Sequence, residues 1–452
     1  MKFLTLAVSS LLALTSVAAA ERAAGPWESC GGRYQTQACV KGTVCERTYS
    51  SYSQCVPIRK TTTKKTTTTK KTTTKKTTTK KTTTKKTTPA YTKPPKTTTT
   101  KTITTTVTVP TPPAPAPKVQ YVGRVDSEGR FAWSGSGLRA NVAGPTISLK
   151  LRTEGAPVVY FVAVVDGVAQ PRFAVELGAD KTVTIASNLT SETHLVELYR
   201  DNEVFEGVST FLGFVDGTVK APPPPRPKFL EIIGDSISGG YGNLGVELHP
   251  NWVANPACGY SAVNSSYYAT YGAIAGRALN AQVSTIARSG WGITHGYGGE
   301  VGATLQSIYN FTLGPNENKT WTFKPQPDAV LINLGTNDWS TGDPGTLYEI
   351  EYVKFLHTIR SFYPNLHIFL TIGPLLSDPA LPEAKARIAA VVAAWKAETG
   401  ETNISQFDFG NQNLGANGEI PSGCDWHPSA DEHKRMAGIL VEQLGTTLGW
   451  KA

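Results

Sequence analysis

The stretch Phe229-Leu-Glu-Ile-Ile-Gly-Asp-Ser-Ile-Ser-Gly-Gly-Tyr-Gly242 decides the fold of the C-terminal half of the chain. Its first five residues are mostly apolar and indicate a buried strand, and the glycines that follow permit a tight turn. Further apolar runs and helical patterns follow along the chain: Ala329–Asn333, His367–Thr371, Pro382–Glu398 and Glu432–Leu444. Strands that alternate with helices predict an α/β domain with a parallel sheet over residues 228–452, with ligands at the carboxyl ends of the strands.

Ser236 follows the end of the first strand, where such a sheet exposes side chains to a substrate. A serine is a poor nucleophile unless a base lies beside it. Later segments supply a glycine, an amide and a base: Ser289-Gly290, Gly335-Thr-Asn337-Asp338 and His427-Pro428. Together with Ser236 these segments resemble, in order, the four blocks of the SGNH hydrolases. The resemblance covers residues 229–452.

The SGNH resemblance implies a serine esterase. Ser236 would attack an ester carbonyl, while His427 would take its proton and then return it to the leaving alcohol. The family stabilises the oxyanion with the backbone N–H of the nucleophile, the N–H of the glycine and the asparagine amide. Here these donors would come from Ser236, Gly290 and Asn337.

The third member of the catalytic group has two interpretations. Many SGNH enzymes carry an aspartate three residues before the histidine, whereas this chain has Cys424 there and Asp425 one residue later. Asp425 could orient the imidazole, or a backbone carbonyl such as that of Trp426 could hold it in a Ser–His dyad. The spacing favours the dyad. Cys424 is also expected to form a disulfide with Cys258 beside the site.

Three tryptophans adjoin these blocks, and two further histidines are competing bases. Trp291, Trp339 and Trp426 could stack on a sugar or pack the core, and the sequence favours neither interpretation. His249 and His295 lack the Trp-His-Pro-Ser context of His427, so they are weaker candidates for the catalytic base.

Residues 119–222 are expected to form a β-sandwich. Ile147, Leu149 and Leu151 alternate with polar residues, and Val158–Val165 is a continuous apolar run of the kind found in a sandwich core. This domain placed before an SGNH domain resembles carbohydrate esterase family 2, whose members carry a jelly-roll domain before the hydrolase. The matching segments are Trp133-Ser-Gly-Ser-Gly137, His194-Leu-Val-Glu-Leu-Tyr-Arg200 and Phe211-Leu-Gly-Phe214.

That resemblance implies the removal of acetyl groups from xylan and related hemicelluloses, including the 6-hydroxyl of hexoses. Acetylated hemicellulose is therefore the expected partner. The sequence contains no metal-ligand motif and no phosphate-binding glycine loop, so neither a metal nor another cofactor is expected. Two rival functions are an SGNH lipase or phospholipase and a non-catalytic wall-binding protein, although the latter would lack the serine or the histidine. A monomer is expected.

The N-terminus predicts secretion. Lys2 precedes the apolar run Phe3–Val17, and Ala18-Ala-Ala20 supplies small residues for cleavage, as in a signal peptide over residues 1–20. The run is too short to span a bilayer, so no membrane partner is expected. Glycosylation sequons agree with a secretory route and lie at Asn188, Asn264, Asn310, Asn318 and Asn403.

Residues 21–57 form a cysteine-rich unit that is too small for a core of its own and needs disulfides. Its four cysteines allow three connectivities by spacing alone. The unit resembles the fungal family 1 cellulose-binding module in the segments Trp27-Glu-Ser-Cys30-Gly-Gly32, Gly42-Thr-Val-Cys45 and Tyr52-Ser-Gln-Cys55. The resemblance implies the pairs Cys30–Cys45 and Cys39–Cys55.

The same resemblance implies a flat face of aromatic rings that binds cellulose, a second expected partner. Trp27 and Tyr52 match two positions of that face, Ser51 replaces the usual adjacent aromatic residue, and Tyr49 lies two residues earlier. Gln54 belongs to the same matching segment.

Residues 58–118 are predicted to be an extended spacer. The segment repeats Thr-Thr-Thr-Lys-Lys, becomes proline-rich, and contains no acidic residue. It has too few apolar residues to fold, and its lysines repel one another. The net charge of +9 therefore arises in low-complexity sequence without interleaved aromatic residues, so a nucleic-acid partner is not expected.

Overall fold

The structure is a computed structural model that describes residues 119–245, 258–412 and 422–451, together with Lys41 and four strands between residues 29 and 57. The four strands pair antiparallel in the order β2-β1-β4-β3. They are β1 (Ser29–Gly32), β2 (Gln35–Thr36), β3 (Thr43–Tyr49) and β4 (Tyr52–Pro57).

Several predictions for the N-terminal part lie outside the described residues. These are the signal peptide over residues 1–20, the spacer over residues 58–118, and the side chains of the cellulose-binding unit: Trp27, Tyr49, Tyr52, Gln54, Cys30, Cys39, Cys45 and Cys55. The cellulose-binding module therefore stays a prediction. Across the described ranges, no helix combines the length and the apolar character that crossing a bilayer requires.

Residues 120–219 form an antiparallel β domain. Its main path of paired strands runs β10-β8-β12-β7-β13-β6, with β5 and β11 added to β7 and β9 added to β8. The strands are β5 (Gln120–Val122), β6 (Arg130–Phe131), β7 (Gly137–Glu154), β8 (Val158–Val165), β9 (Val168–Ala169), β10 (Phe173–Glu176), β11 (Lys181–Ala186), β12 (Thr193–Arg200) and β13 (Val208–Val219).

The 18-residue strand β7 is long enough for its two halves to pair with different strands. Its first half pairs with β12, and its second half pairs with β11. Gly144 lies between the halves with φ at 138°, a backbone angle that favours glycine and permits a bend. The predicted β content is confirmed, and the strands join into one curled antiparallel sheet. The two-sheet jelly roll stays a prediction.

Residues 228–451 contain a five-stranded parallel sheet in the order β15-β14-β16-β17-β18, as the sequence predicts. Its strands are β14 (Lys228–Gly234), β15 (Ala281–Ala287), β16 (Ala329–Asn333), β17 (His367–Thr371) and β18 (Ile404–Gln406). Its helices are α1 (Ser236–Gly239), α2 (Tyr271–Ala278), α3 (Thr346–Phe362), α4 (Ala380–Thr399) and α5 (Ala430–Leu448).

Both faces of the parallel sheet are buried, which explains why its strands are continuous apolar runs. Ile232 and Leu331 belong to the core that contains residues of α2 and α5. Their neighbours Ile233 and Ile332 belong to the opposite core, which contains residues of α3 and α4. Successive side chains on a strand point to opposite faces, so each strand contributes to both cores.

The chain reverses its direction of travel across the sheet at β14. From β14 it passes to β15 on one side, and it then returns to β16 on the other side. Loops that leave neighbouring strands in opposite directions open a crevice at the carboxyl ends of those strands. Gly234, the last residue of β14, pairs with Ala287 of β15 and Asn333 of β16, so the three strand ends are level.

The β domain packs into the core of the α/β domain. Trp133 is fully buried and belongs to the same apolar cluster as Ile233 of the parallel sheet. Arg124 of the β domain is also fully buried and lies 3.7 Å from Glu231 of β14. Tyr309 donates its hydroxyl to the same Glu231 carboxylate at 2.7 Å. An apolar contact and a buried ion pair therefore join the two domains.

Replacement of Arg124 is expected to destabilise the protein strongly. Arg124→Met leaves the Glu231 carboxylate buried without its cation, which typically costs about 3–5 kcal/mol of unfolding free energy. Arg152→Met is the matched control because the Arg152–Asp180 pair has 42% and 31% of its side chains exposed. Such a pair is worth less than about 1 kcal/mol. Chemical denaturation measures both variants, and equal losses would contradict the importance of the buried pair.

Candidate active site

Ser236 begins the four-residue helix α1 directly after β14, so the strand-to-helix turn presents its side chain. Gly234 is required by close packing, because a Cβ atom there would lie 2.0 Å from Ser238 Oγ. Asp235 caps the helix by accepting the Ile237 N–H at 3.0 Å. The Gly-Asp-Ser sequence therefore supplies a close backbone approach, a helix cap and the serine hydroxyl in successive positions.

The structure brings Ser236 and His427 together, although 191 positions separate them in the chain. Ser236 Oγ lies 2.7 Å from His427 Nε2, and His427 Nδ1 lies 3.2 Å from the backbone carbonyl of Asp425. A carbonyl oxygen can only accept a hydrogen bond, so Nδ1 carries the proton in the neutral ring. Nε2 then has a free lone pair that accepts the Ser236 O–H.

The Asp425 carboxylate does not orient His427. Its Oδ2 accepts the hydroxyl of Tyr241 at 2.5 Å, and the Tyr241 ring stacks on the imidazole with centroids 4.1 Å apart. Asp425 therefore contributes its carbonyl to His427 and its side chain to Tyr241. The sequence anticipated a backbone carbonyl but suggested that of Trp426. The observed acceptor lies one residue earlier, in a turn where Asp425 and Trp426 both adopt positive φ, at 48° and 63°.

The histidine loop is tied to the loop after α1. Cys424 forms a disulfide with Cys258, with their Cα atoms 4.9 Å apart. The Cys424 N–H donates to the Gly242 carbonyl at 2.9 Å, and the His427 N–H donates to the Cys424 carbonyl at 3.0 Å. These contacts hold the turn that contains Asp425 and Trp426, the two residues with left-handed backbone, in place beside Ser236.

Burial governs the electrostatics of the pair. Removal of the imidazole from water lowers the pKa of His427 to about 4, and hydrogen bonds with the backbone of Asp425 and Cys424 oppose that shift. Burial likewise raises the pKa of the Asp425 carboxyl, while the Tyr241 hydroxyl opposes that shift. His427 is therefore neutral at ordinary pH and is suited to accept a proton.

Gly290 and Asn337 follow the two strands that flank β14. Gly290 has φ at 78°, and a Cβ atom placed on it would meet no other atom within 4 Å. The Asn337 amide donates to the Trp291 carbonyl at 2.9 Å and lies 3.4 Å from Asp235 Oδ2. The second contact is long, so one N–H of the amide is only weakly engaged.

Asp338 holds the segment that follows Gly290. Its carboxylate accepts the Thr294 N–H at 2.7 Å, the Thr294 hydroxyl at 2.6 Å, and the Ile293 N–H at 3.0 Å. Burial raises the pKa of this carboxyl, and those three donors oppose the shift. Asp338 is therefore a structural anchor of the loop.

The three tryptophans have different environments. Trp426 is 47% exposed, so its ring is available to a ligand. Trp291 is partly buried, and the Arg288 guanidinium lies 4.6 Å from its ring centroid. Trp339 is only 6% exposed and packs edge-on against Tyr348. Of the two interpretations left open for Trp339, its burial favours core packing, because its ring belongs to the apolar core of the α/β domain.

The competing histidines do not meet Ser236 within the described ranges. His295 Nδ1 contacts the carbonyl of Gly296 at 2.8 Å, and His249 lies outside the described residues. Sequence reasoning missed Tyr241, whose signal is its place in the Gly-Gly-Tyr-Gly segment five residues after Ser236. Among the described residues, no group of three or more His, Cys, Asp or Glu could hold a metal ion.

Comparison with known protein families gives the class of the protein. Residues 121–225 match the family described as "Carbohydrate esterase 2 N-terminal", and residues 232–435 match the "GDSL-like Lipase/Acylhydrolase family". The fold and the Ser236–His427 pair thus define an α/β domain of the esterase type, preceded by a β domain of the carbohydrate esterase 2 type.

Individual relatives identify the family. A family two carbohydrate esterase from Clostridium thermocellum, solved in complex with cellohexaose, is 34% identical with a TM-score of 0.67 over 74% of this chain and 99% of that chain. The chain belongs to carbohydrate esterase family 2, a family of carboxylic ester hydrolases, which confirms that part of the sequence prediction.

Two further relatives bear names that mention an activity. Cellulase/esterase CelE of Acetivibrio thermocellus is 34% identical over 342 residues, or 74% of this chain, and the chain spans only 40% of that protein's length. An acetylxylan esterase / glucomannan deacetylase of Cellvibrio japonicus is 27% identical over 349 residues, covering 74% of this chain and 90% of that protein.

Substitution of Asp425 is expected to have a small effect on ester hydrolysis. Asp425→Asn retains the carbonyl that binds His427, so turnover should stay within roughly tenfold of the wild type, whereas the same change at a true triad acid costs about 10⁴-fold. Turnover of p-nitrophenyl acetate measures the effect, with His427→Ala as the inactive reference. A thousandfold loss in Asp425→Asn would show that the carboxylate acts on the histidine.

Proposed function

We propose that this chain is a secreted esterase that removes O-acetyl groups from hemicellulose, namely acetylxylan and 6-O-acetyl glucomannan. The observation that carries the proposal is the 2.7 Å contact between Ser236 Oγ and His427 Nε2 in a member of carbohydrate esterase family 2. The name of the Cellvibrio japonicus relative supports acetylxylan and acetylated glucomannan as the substrates, and the 6-O position is part of the proposal.

In the first half of the proposed reaction, Ser236 Oγ forms a bond to the acetyl carbon while its proton moves to His427 Nε2. The carbonyl π electrons move onto oxygen, and the Ser236 N–H, the Gly290 N–H and the Asn337 amide stabilise that charge. The bond between the acetyl carbon and the sugar oxygen then breaks. His427 returns its proton to the sugar oxygen, and an acetylated Ser236 remains.

In the second half, water takes the place of the sugar hydroxyl. His427 Nε2 accepts a proton from the water as its oxygen bonds to the acetyl carbon, and the same oxyanion donors stabilise the second tetrahedral intermediate. The bond to Ser236 Oγ breaks, acetic acid leaves, and the proton on Nε2 returns to the serine. The Asp425 carbonyl keeps Nδ1 protonated throughout, so Nε2 remains the atom that exchanges protons.

Trp426 is the proposed platform for the sugar ring. Its exposed side chain is adjacent in sequence to His427, and aromatic rings present an apolar face that suits the C–H face of a sugar. Stacking there would place an acetylated hydroxyl near Ser236. The partly buried Trp291 is a second proposed contact, on the side of Gly290.

Secretion and cellulose binding belong to the same proposal. Residues 1–20 would direct export, and residues 21–57 would bind cellulose through Trp27, Tyr49, Tyr52 and Gln54. The spacer over residues 58–118 would keep the esterase close to acetylated hemicellulose beside the fibril, which raises the local substrate concentration.

Removal of the nucleophile tests the activity. Wild-type protein is expected to release acetate from acetylated xylan and acetylated glucomannan, whereas Ser236→Ala should fall by a factor of about 10³ or more because no acyl-enzyme forms. Acetate in the supernatant is measured enzymatically. Equal release by both proteins would refute the assignment. Faster cleavage of long-chain p-nitrophenyl esters than of acetylated polysaccharide would favour a lipase.

The pH profile tests the state of His427. Nε2 can accept a proton only in the neutral imidazole, so activity requires a pH above the pKa of His427, which is about 4. We expect kcat/KM for p-nitrophenyl acetate to be constant down to about pH 5 and to fall tenfold per unit below the pKa. Enzyme returned from acid to neutral pH controls for unfolding. A fall centred on the ordinary histidine value of 6.5 would contradict this expectation.

A further inference from the structure

Glu203 of the β domain extends into the α/β domain beside the candidate active site. It follows β12 and is fully buried. Glu203 Oε2 accepts the Ser289 N–H at 2.7 Å, and Oε1 accepts the Ser289 hydroxyl. A Cβ atom on Gly239 of α1 would lie 2.9 Å from the Glu203 carboxyl carbon. Glu203 therefore lies between the helix that begins with Ser236 and the residue before Gly290.

We propose that Glu203 is a positioning residue that fixes the Gly290 N–H for oxyanion stabilisation by holding Ser289 from the β domain. The inference rests on the proposed esterase function. The Gly290 N–H belongs to the peptide unit between Ser289 and Gly290, and rotation about the Ser289 backbone would redirect it. On one side of that peptide unit, Glu203 accepts the Ser289 N–H. On the other side, the Tyr297 N–H donates to the Gly290 carbonyl at 2.7 Å.

The residues before Glu203 make its position rigid. Asp201 accepts the Ser266 hydroxyl at 2.9 Å and the Tyr268 N–H at 2.7 Å, and the Asn202 amide donates to the Ala262 carbonyl at 2.9 Å. Asp201 and Asn202 are both fully buried. Three consecutive polar side chains of the β domain thus bind the α/β domain. The third, Glu203, contacts Ser289 in the segment that carries Gly290, here called the oxyanion loop.

The hydrogen bonds of Glu203 do not depend on its charge. Burial raises the pKa of its carboxyl to about 8, while the two Ser289 donors and the nearby Arg288 oppose the shift. A neutral carboxyl still accepts the Ser289 N–H through its carbonyl oxygen, and an amide of the same length can do so too. The length of the side chain is therefore the property that matters.

Three variants of Glu203 test the proposal on p-nitrophenyl acetate. Glu203→Ala should displace the Gly290 N–H, whose hydrogen bond to the oxyanion forms only in the transition state. It should therefore lower kcat by about 10²-fold with KM changed less than about threefold. Glu203→Gln should retain kcat within about fivefold, since its oxygen reaches Ser289. Glu203→Asp keeps the carboxyl group but is one methylene shorter, so its kcat should fall below that of Glu203→Gln.

Glu197 provides the matched control. It is also a buried carboxylate of the β domain, but it binds Arg139 at 3.0 Å and Tyr199 at 2.7 Å instead of the oxyanion loop. Glu197→Ala should lower thermal stability and leave kcat unchanged.

The outcomes separate the two proposals. Unchanged kcat in Glu203→Ala, or an equal loss of kcat in Glu197→Ala, would overturn the role of Glu203 while Ser236→Ala still tests the esterase. If Glu203→Ala does not fold, the order of the other two variants decides. A kcat in Glu203→Asp equal to or above that of Glu203→Gln would overturn the proposal. Absence of wild-type activity would instead refute the esterase itself.

Discussion

The parallel register of β15, β14 and β16 is the constraint on which the candidate site depends. Gly234 pairs with Ala287 on one side and Asn333 on the other, so three strands end at the same level. The groups proposed for the oxyanion site follow these ends within four residues. If β14 slipped by one residue, each of its side chains would point into the opposite core, where it would not fit its neighbours. Packing in the two cores therefore fixes the register. The alignment of the site is thus a consequence of core packing.

His427 comes from a loop outside the sheet, so its position needs separate support. The Cys258–Cys424 disulfide and the Tyr241 ring hold the loop from two directions. A backbone carbonyl replaces the usual carboxylate at Nδ1, and it selects the tautomer without supplying a negative charge. Such a partner raises the pKa of the imidazole less than a carboxylate would, which agrees with the low pKa of His427.

The parts of the fold and site that the sequence predicts are those encoded locally. Apolar runs predicted three of the five strands of the parallel sheet, β14, β16 and β17, and the order of four short segments predicted that Ser236 and His427 act together. Contacts between distant segments could not be read in this way. The pairing of Tyr241 with Asp425, the curl of β7, and the approach of Glu203 from another domain depend on tertiary packing. The exposed Trp426 and the buried Trp339 have the same kind of sequence context, so only burial distinguishes them.

Trp426 combines an exposed aromatic ring with a left-handed backbone, at φ of 63°. A non-glycine residue there costs about 1–2 kcal/mol, because the Cβ atom approaches the following carbonyl. Glycine would relieve that cost but would remove the ring. The turn that carries the histidine therefore involves a trade-off between stability and the proposed function, in which the more stable backbone would lack the ring proposed to stack on the sugar. Selection for thermal stability alone would therefore favour glycine at position 426.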